Sequence, residues 1–179
     1  MNLFLERIQS GSHKNLKCLL DLYVIAFPPE ERRNTSDLTR MLNNPDMYFS
    51  AILVDEVVVG FVVFWKFNGF LYIEHLAIYP CHRKKGIGRV VLKQLQKEGN
   101  PILLEVEIPF DEASNLRVNF YQGSGFSSLP VYYNQPPYRK GESLVPMFLF
   151  SDKSDWEAEI LRSSIDFFQD RVYLQNNKN

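Results

Sequence analysis

The residues with the plainest chemistry lie between positions 83 and 89: Arg83, Lys84, Lys85, Gly86, Ile87, Gly88 and Arg89. Cations surround two glycines, and apolar residues at Ile87, Val90, Val91 and Leu95 predict an amphipathic helix that begins inside this loop. A helix start presents backbone N–H groups without intrahelical partners, and the aligned peptide dipoles place partial positive charge at the same point. Glycine lets the backbone approach a bulky anion and take up positive φ where needed. The segment is suited to hold a phosphate or a diphosphate. Two familiar phosphate loops are excluded by spelling: there is no G-x-x-x-x-G-K-[ST], and Gly88 is followed by Arg89, Val90 and Val91 rather than by a dinucleotide fingerprint's third glycine.

Carboxylates supply a second kind of chemistry. Glu74 stands in the run Leu-Tyr-Ile-Glu-His-Leu-Ala-Ile-Tyr that leads into Pro80. Strand alternation puts Tyr72, Glu74, Leu76 and Ile78 on one face and Ile73, His75, Ala77 and Tyr79 on the other. His75 then reads as a packed or half-exposed side chain. Glu105 and Glu107 share a face of a later strand and could bind a cationic amine. Cys81 and His82 are adjacent, which does not complete a tetrahedral metal site, and Cys81 reads as a small loop residue.

The elements that must position these groups follow from periodicity and turn signals. Residues 3–8 read as a first strand and 15–26 as a helix, ended by Phe27-Pro28-Pro29. Thr35-Ser36-Asp37 forms a capping cluster for a short helix reaching about Asn43, and the charged stretch before it is either a substrate-facing loop or a solvated connector. Strands 48–54, 57–67 and 70–78 form an antiparallel meander, joined at Asp55-Glu56 and at Asn68-Gly69, the latter a strong hairpin signal. Gly99-Asn100-Pro101 stops the loop helix, and 102–106 is a strand expected to lie parallel to 70–78, joined by a right-handed crossover. A cleft is expected where two such strands part. A short helix spans 114–126, a strand 126–133, a turn-rich loop 134–146 and a last strand 147–150. Ser154-x-x-Glu157 reads as a capping box for a helix over about 154–174, with Trp156, Ile160, Leu161, Ile165, Phe168 and Val172 at helical spacing.

The strand Leu76-Ala77-Ile78-Tyr79-Pro80, followed by Arg83-x-x-Gly86-x-Gly88, resembles the central motif of the GNAT superfamily, the acyl-CoA-dependent N-acyltransferases. A second likeness follows in the family's order: Asn115, the pair Phe120-Tyr121, then Gly125-Phe126. Together they cover roughly residues 70–130. The resemblance implies a single-domain α/β (α+β) fold, with a mixed, mostly antiparallel central sheet flanked by helices and here an extra C-terminal helix. It implies acetyl-CoA as co-substrate and no metal. Backbone groups of Leu76, Ala77 and Ile78 would pair with the pantetheine arm, and the stretch Arg83, Lys84, Lys85, Gly86, Ile87, Gly88, Arg89 would hold the pyrophosphate. Asn115 and Tyr121 would lie near the thioester. Tyr121 is the implied general acid for the departing thiolate, since a phenol's ordinary pKa of about 10 lies somewhat above a thiol's of about 8.5. Glu74 lies near the point where related strands carry a base, and would take the amine's proton directly or through water.

The expected reaction is therefore acetyl transfer from acetyl-CoA to a primary amine on a small molecule or peptide. The alternative is a CoA-binding regulatory module without turnover. Residues 27–33 and 132–142 are the expected walls for the acceptor.

Composition sets the outer bounds. The chain has 179 residues, 45% of them hydrophobic, which suits one domain over 1–175 with a polar tail at 176–179. Twenty basic residues against 21 acidic ones leave a formal charge of −1. That balance argues against nucleic acid as partner. The absence of a basic leader and of any apolar run long enough to span a bilayer predicts a cytoplasmic protein with no membrane partner. Cys18 and Cys81 are too few for a disulfide framework. The C-terminal helix could pack on its own domain or support a homodimer.

Overall fold

The computed structural model describes residues 2–174; the tail expected at 176–179 lies outside them. Among the described residues, eight strands and five α-helices form two compact units that divide between Asn100 and Pro101. All strand pairings within each unit are antiparallel, as expected for a mixed, mostly antiparallel α/β fold.

In the first unit, β1 (Leu3–Arg7), β2 (Met47–Val54), β3 (Val57–Phe67) and β4 (Phe70–Ile78) pair in sequence order. The β3 strand is buried continuously from Val59 to Trp65, so its apolar run belongs to a strand covered on both faces. Helices α1 (Leu16–Ala26), α2 (Thr35–Arg40) and α3 (Ile87–Gln96) complete the unit. α3 buries Ile87, Val91, Leu92 and Leu95, one stripe of a 3.6-residue period. Val90, expected in that stripe, is only half-buried, and Leu92 takes the core position.

The two hairpins exchange roles relative to expectation. Asp55 and Glu56 both adopt positive φ, 48° and 70°, as the two-residue link between paired Val54 and Val57 requires. At Asn68-Gly69 only the glycine does so, at 90°. α2 is preceded by Asn34 rather than capped by the Thr35-Ser36-Asp37 cluster, and no side chain caps it.

In the second unit, β8 (Val145–Ser151) is the central strand. It pairs with β5 (Ile102–Glu107) on one edge and with β6 (Ser127–Ser128) and β7 (Tyr133–Gln135) on the other. The continuous strand expected over 126–133 is thus two short pieces. Leu129 N–H still donates to Leu149, but Pro130 has no N–H to continue the ladder, and Val131 N–H turns back to the Leu129 carbonyl at 2.8 Å.

α4 (Glu112–Gln122) starts earlier than expected because Asp111 caps it, its carboxylate accepting from Ser114 N–H at 2.7 Å. The capping box expected at Ser154 and Glu157 does not form, and α5 runs over Ala158–Gln169. Ser151 holds the intervening chain instead, its Oγ accepting from Lys153 N–H and Trp156 Nε1. A single π-helical turn, Asp170–Leu174, follows α5 and buries Val172 and Tyr173.

Candidate active site

The anion loop is built from backbone. After β4 the chain makes a 3-10 turn over Pro80–His82, and Gly86, at φ 76°, stands immediately before α3. Nothing lies within 4 Å of where a Gly86 Cβ would project, so open space faces the helix start. Val90 N–H closes the first turn on the Gly86 carbonyl at 3.2 Å, leaving the preceding N–H groups at the exposed end. Lys84 also adopts a left-handed conformation, φ 61°, which is costly for a side-chain-bearing residue and was not legible in the sequence. Arg83 donates from Nε to the Ile78 carbonyl at 2.9 Å, which ties the loop to the end of β4. Arg83, Lys84, Lys85 and Arg89 are all exposed.

The position of β4 depends on a glycine that the sequence reading passed over. Gly60 on β3 faces Ile78, and a Cβ there would lie 2.1 Å from the Ala77 carbonyl oxygen. The backbone at Ala77 and Ile78 is therefore set by a close approach that only glycine permits. An isolated glycine inside an apolar strand was the available signal.

Glu74 occupies a different environment. Between Val63↔His75 and Phe64↔Ile73 the register shifts, so Glu74 is the extra residue of a β-bulge. Alternation breaks there, and His75 Nδ1 lies 3.8 Å from Glu74 Oε1 although simple pleating puts the two on opposite faces. Glu74 Oε1 accepts from Arg33 Nε at 3.1 Å and Oε2 accepts from Trp65 Nε1 at 2.6 Å. Tyr23 Oη accepts from Arg33 N–H at 2.8 Å, and the His75 ring nitrogen Nε2 pairs with the Glu31 carbonyl at 3.0 Å. His75 packs edge-on between Tyr23 and Phe27. Burial lowers the His75 pKa and leaves the ring neutral, while burial, with the Glu74 charge second, raises Tyr23 above the ordinary phenol range. The 27–33 stretch is accordingly no free connector: Arg33 is buried and Arg32 Nε donates to the Phe27 carbonyl.

In the second unit, Glu105 on β5 accepts from Tyr133, from Gln135 Nε2 at 2.9 Å and from Tyr173 at 2.7 Å. Tyr133 is raised well above its ordinary value by burial and then by the Glu105 charge. Glu107 instead pairs with the exposed Arg117. Asn115 is exposed on α4, its side-chain amide donating to the Asp111 carbonyl at 2.7 Å. Tyr121 is half-buried between Phe120 and Phe126, and burial pushes its pKa up to about 12.

Among the described residues no group of three His, Cys, Asp or Glu side chains could hold a metal ion, and no helix is long and apolar enough to cross a membrane. Cys18 and Cys81 are free and exposed.

Residues 16–126, spanning α1 to the end of the Gly125-Phe126 motif, match the acetyltransferase (GNAT) family. The chain belongs to the GNAT family. A GNAT-family chain from Bacteroides thetaiotaomicron, designated an acetyltransferase, is 32% identical over 97% of this chain and 98% of its own, with a TM-score of 0.85. YjbC of Bacillus subtilis (strain 168), also designated an acetyltransferase, is 29% identical over 143 residues, 76% of this chain and 72% of its own length. The fold is shared more distantly with YncA of Salmonella typhimurium, solved with its cofactor acetyl-CoA: 16% identity, TM-score 0.57, covering 88% of this chain and 97% of that one. The general reaction of the GNAT family is acetyl transfer from acetyl-CoA to an amine.

Proposed function

We propose that this GNAT protein is an N-acetyltransferase that moves the acetyl group of acetyl-CoA onto a primary amine of a small molecule or peptide, with residues 1–175 acting as one catalytic domain. The observation that carries the reading is the loop before α3. A left-handed glycine opens the helix start to solvent, and four cations flank it. Gly86, Ile87, Gly88 and Arg89 would bind the pyrophosphate through backbone N–H groups, with Arg83, Lys84 and Lys85 adding charge. Leu76, Ala77 and Ile78 would pair with the pantetheine arm, and Asn115 and Tyr121 would lie by the thioester.

In the reaction, the amine nitrogen attacks the thioester carbonyl carbon, the carbon–sulfur bond breaks, the sulfur leaves as thiolate and the nitrogen gives up its proton. Orientation of the two reactants supplies much of the acceleration. With its pKa near 12, Tyr121 stays protonated throughout the neutral range. Complete transfer from so weak an acid to a thiolate, whose thiol has a pKa of about 8.5, is uphill. Tyr121 therefore contributes a hydrogen bond to the departing sulfur. Glu74 is 1% exposed and its two oxygens are engaged by Arg33 and Trp65, so the carboxylate is committed to the buried cluster rather than presented to solvent. This favours release of the amine's proton to water over direct transfer to Glu74.

The test is thiol release from acetyl-CoA in the presence of spermidine, free lysine and a tetrapeptide with a free α-amino group. Release dependent on one of these amines supports the transferase and names its acceptor class. Binding of acetyl-CoA without release by any of them supports the regulatory module instead.

A further inference from the structure

The buried cluster around Glu74 joins two parts of the first unit that are far apart in sequence. Arg33 and Glu74 are separated by 41 positions, and their side chains are 3% and 1% exposed. The ion pair is one of several ties to the same stretch of chain. Arg33 N–H donates to Tyr23, the Glu31 carbonyl meets His75, and Arg32 returns to the Phe27 carbonyl. Two of the residues that receive this stretch, Glu74 and His75, sit at the bulge in β4, and a third, Trp65, reaches Glu74 from β3. Meanwhile Pro28, Pro29 and Glu30 remain exposed. The stretch thus presents a solvent-facing rim anchored from beneath by a buried charge pair.

We propose that Arg33 and Glu74 are positioning residues: their ion pair is a strut that fixes residues 27–33 against β4 as the rim that receives the amine acceptor. The inference rests on the transferase reading and specifies what Glu74 does within it. The bulge serves this role physically. It turns the Glu74 carboxylate toward Arg33 at a point where regular pleating and a plain register would direct it elsewhere. Removing one partner of a buried pair leaves the other charge in a desolvated site, so either single substitution should loosen the rim.

The test uses Arg33→Met, Glu74→Gln and the double variant, with amide hydrogen exchange of residues 27–33, acetyl-CoA affinity and turnover of the best amine among spermidine, lysine and the tetrapeptide. The strut predicts at least tenfold faster exchange across 27–33 in each single variant. It also predicts a rise of about tenfold or more in KM for the amine, with acetyl-CoA affinity within twofold of the parent. Because both substitutions remove the same tie, the double variant should be no worse than the poorer single one. The double variant also removes both buried charges, so it controls for variants that fail to fold. Unchanged exchange in both single variants overturns the strut. So does a hundredfold or greater loss of kcat confined to the variants lacking Glu74, which would make Glu74 a direct proton acceptor. If the parent turns over none of the amines, the transferase reading fails, and the exchange data still decide the strut.

Discussion

The loop before α3 and the cluster around Glu74 lie along the same stretch of chain and are built in opposite ways. The loop is exposed and made of backbone: a left-handed Gly86, a left-handed Lys84 and the unbonded start of a helix. The cluster is buried and built on side chains drawn from α1, the 27–33 stretch, β3 and β4, with the Arg33 N–H and the Glu31 carbonyl held by two of them. A backbone site tolerates changes in side chains and fails when its φ angles are altered. A side-chain cluster tolerates little, because each member satisfies a buried polar group of another.

That contrast predicts unequal costs, and the largest belongs to the cluster. Arg33→Met should destabilise the protein by about 3–5 kcal/mol, measured by urea unfolding, because it removes a cation from a buried carboxylate. A loss below about 1 kcal/mol would mean the pair is solvated in solution and would erase the distinction between the regions.

Tyr121 in the second unit offers an intermediate case, a half-buried phenol raised by burial and lowered only in part by Arg117. Tyr121→Phe should lower kcat on the order of tenfold to a hundredfold, the range for one lost hydrogen bond to a developing charge of about 1.5–3 kcal/mol. Its raised pKa also carries a linkage prediction. A phenol with pKa about 10 unfolded and about 12 folded stabilises the fold fully below pH 10 and loses that contribution as pH rises toward 12. The fall of Tm between pH 10 and 12 should be shallower in Tyr121→Phe, and an identical slope would contradict the burial assigned to this hydroxyl.

The smallest effect belongs to a side chain of the loop. Lys84→Gly relieves a left-handed residue and should raise stability by up to about 1 kcal/mol. It removes one exposed charge, so acetyl-CoA affinity should fall only a few-fold and the loss should shrink in high salt. A large, salt-insensitive loss would give the Lys84 side chain a specific role and sharpen the boundary between backbone and side-chain recognition.

The same contrast explains what could be read in the sequence. The β2–β3–β4 meander was legible because period-two patterning and turn residues are local, and the loop was legible because glycines and cations mark an anion site by composition alone. The cluster was not, since no local pattern joins Arg33 to Glu74, and the bulge that orients Glu74 depends on the pairing of β4 with β3. The donors around Glu105 were hidden for a like reason: Tyr133, Gln135 and Tyr173 come from β7 and the final π-helical turn. Near the C-terminus the motif Ser154-x-x-Glu157 misled because Ser151 binds the Trp156 indole, which holds the chain out of helix through the expected helix start.

The central claim is that the loop at Gly86 is a diphosphate cradle for acetyl-CoA, and the most direct measurement is calorimetric titration of the protein and of Gly86→Glu with acetyl-CoA and with free CoA. The account predicts that the parent binds both ligands. Gly86→Glu, which puts a side chain at φ 76° and a negative charge before α3, should bind either at least a hundredfold more weakly while keeping its Tm within a few degrees. Undiminished binding by a folded Gly86→Glu, or no binding by the parent, would contradict it.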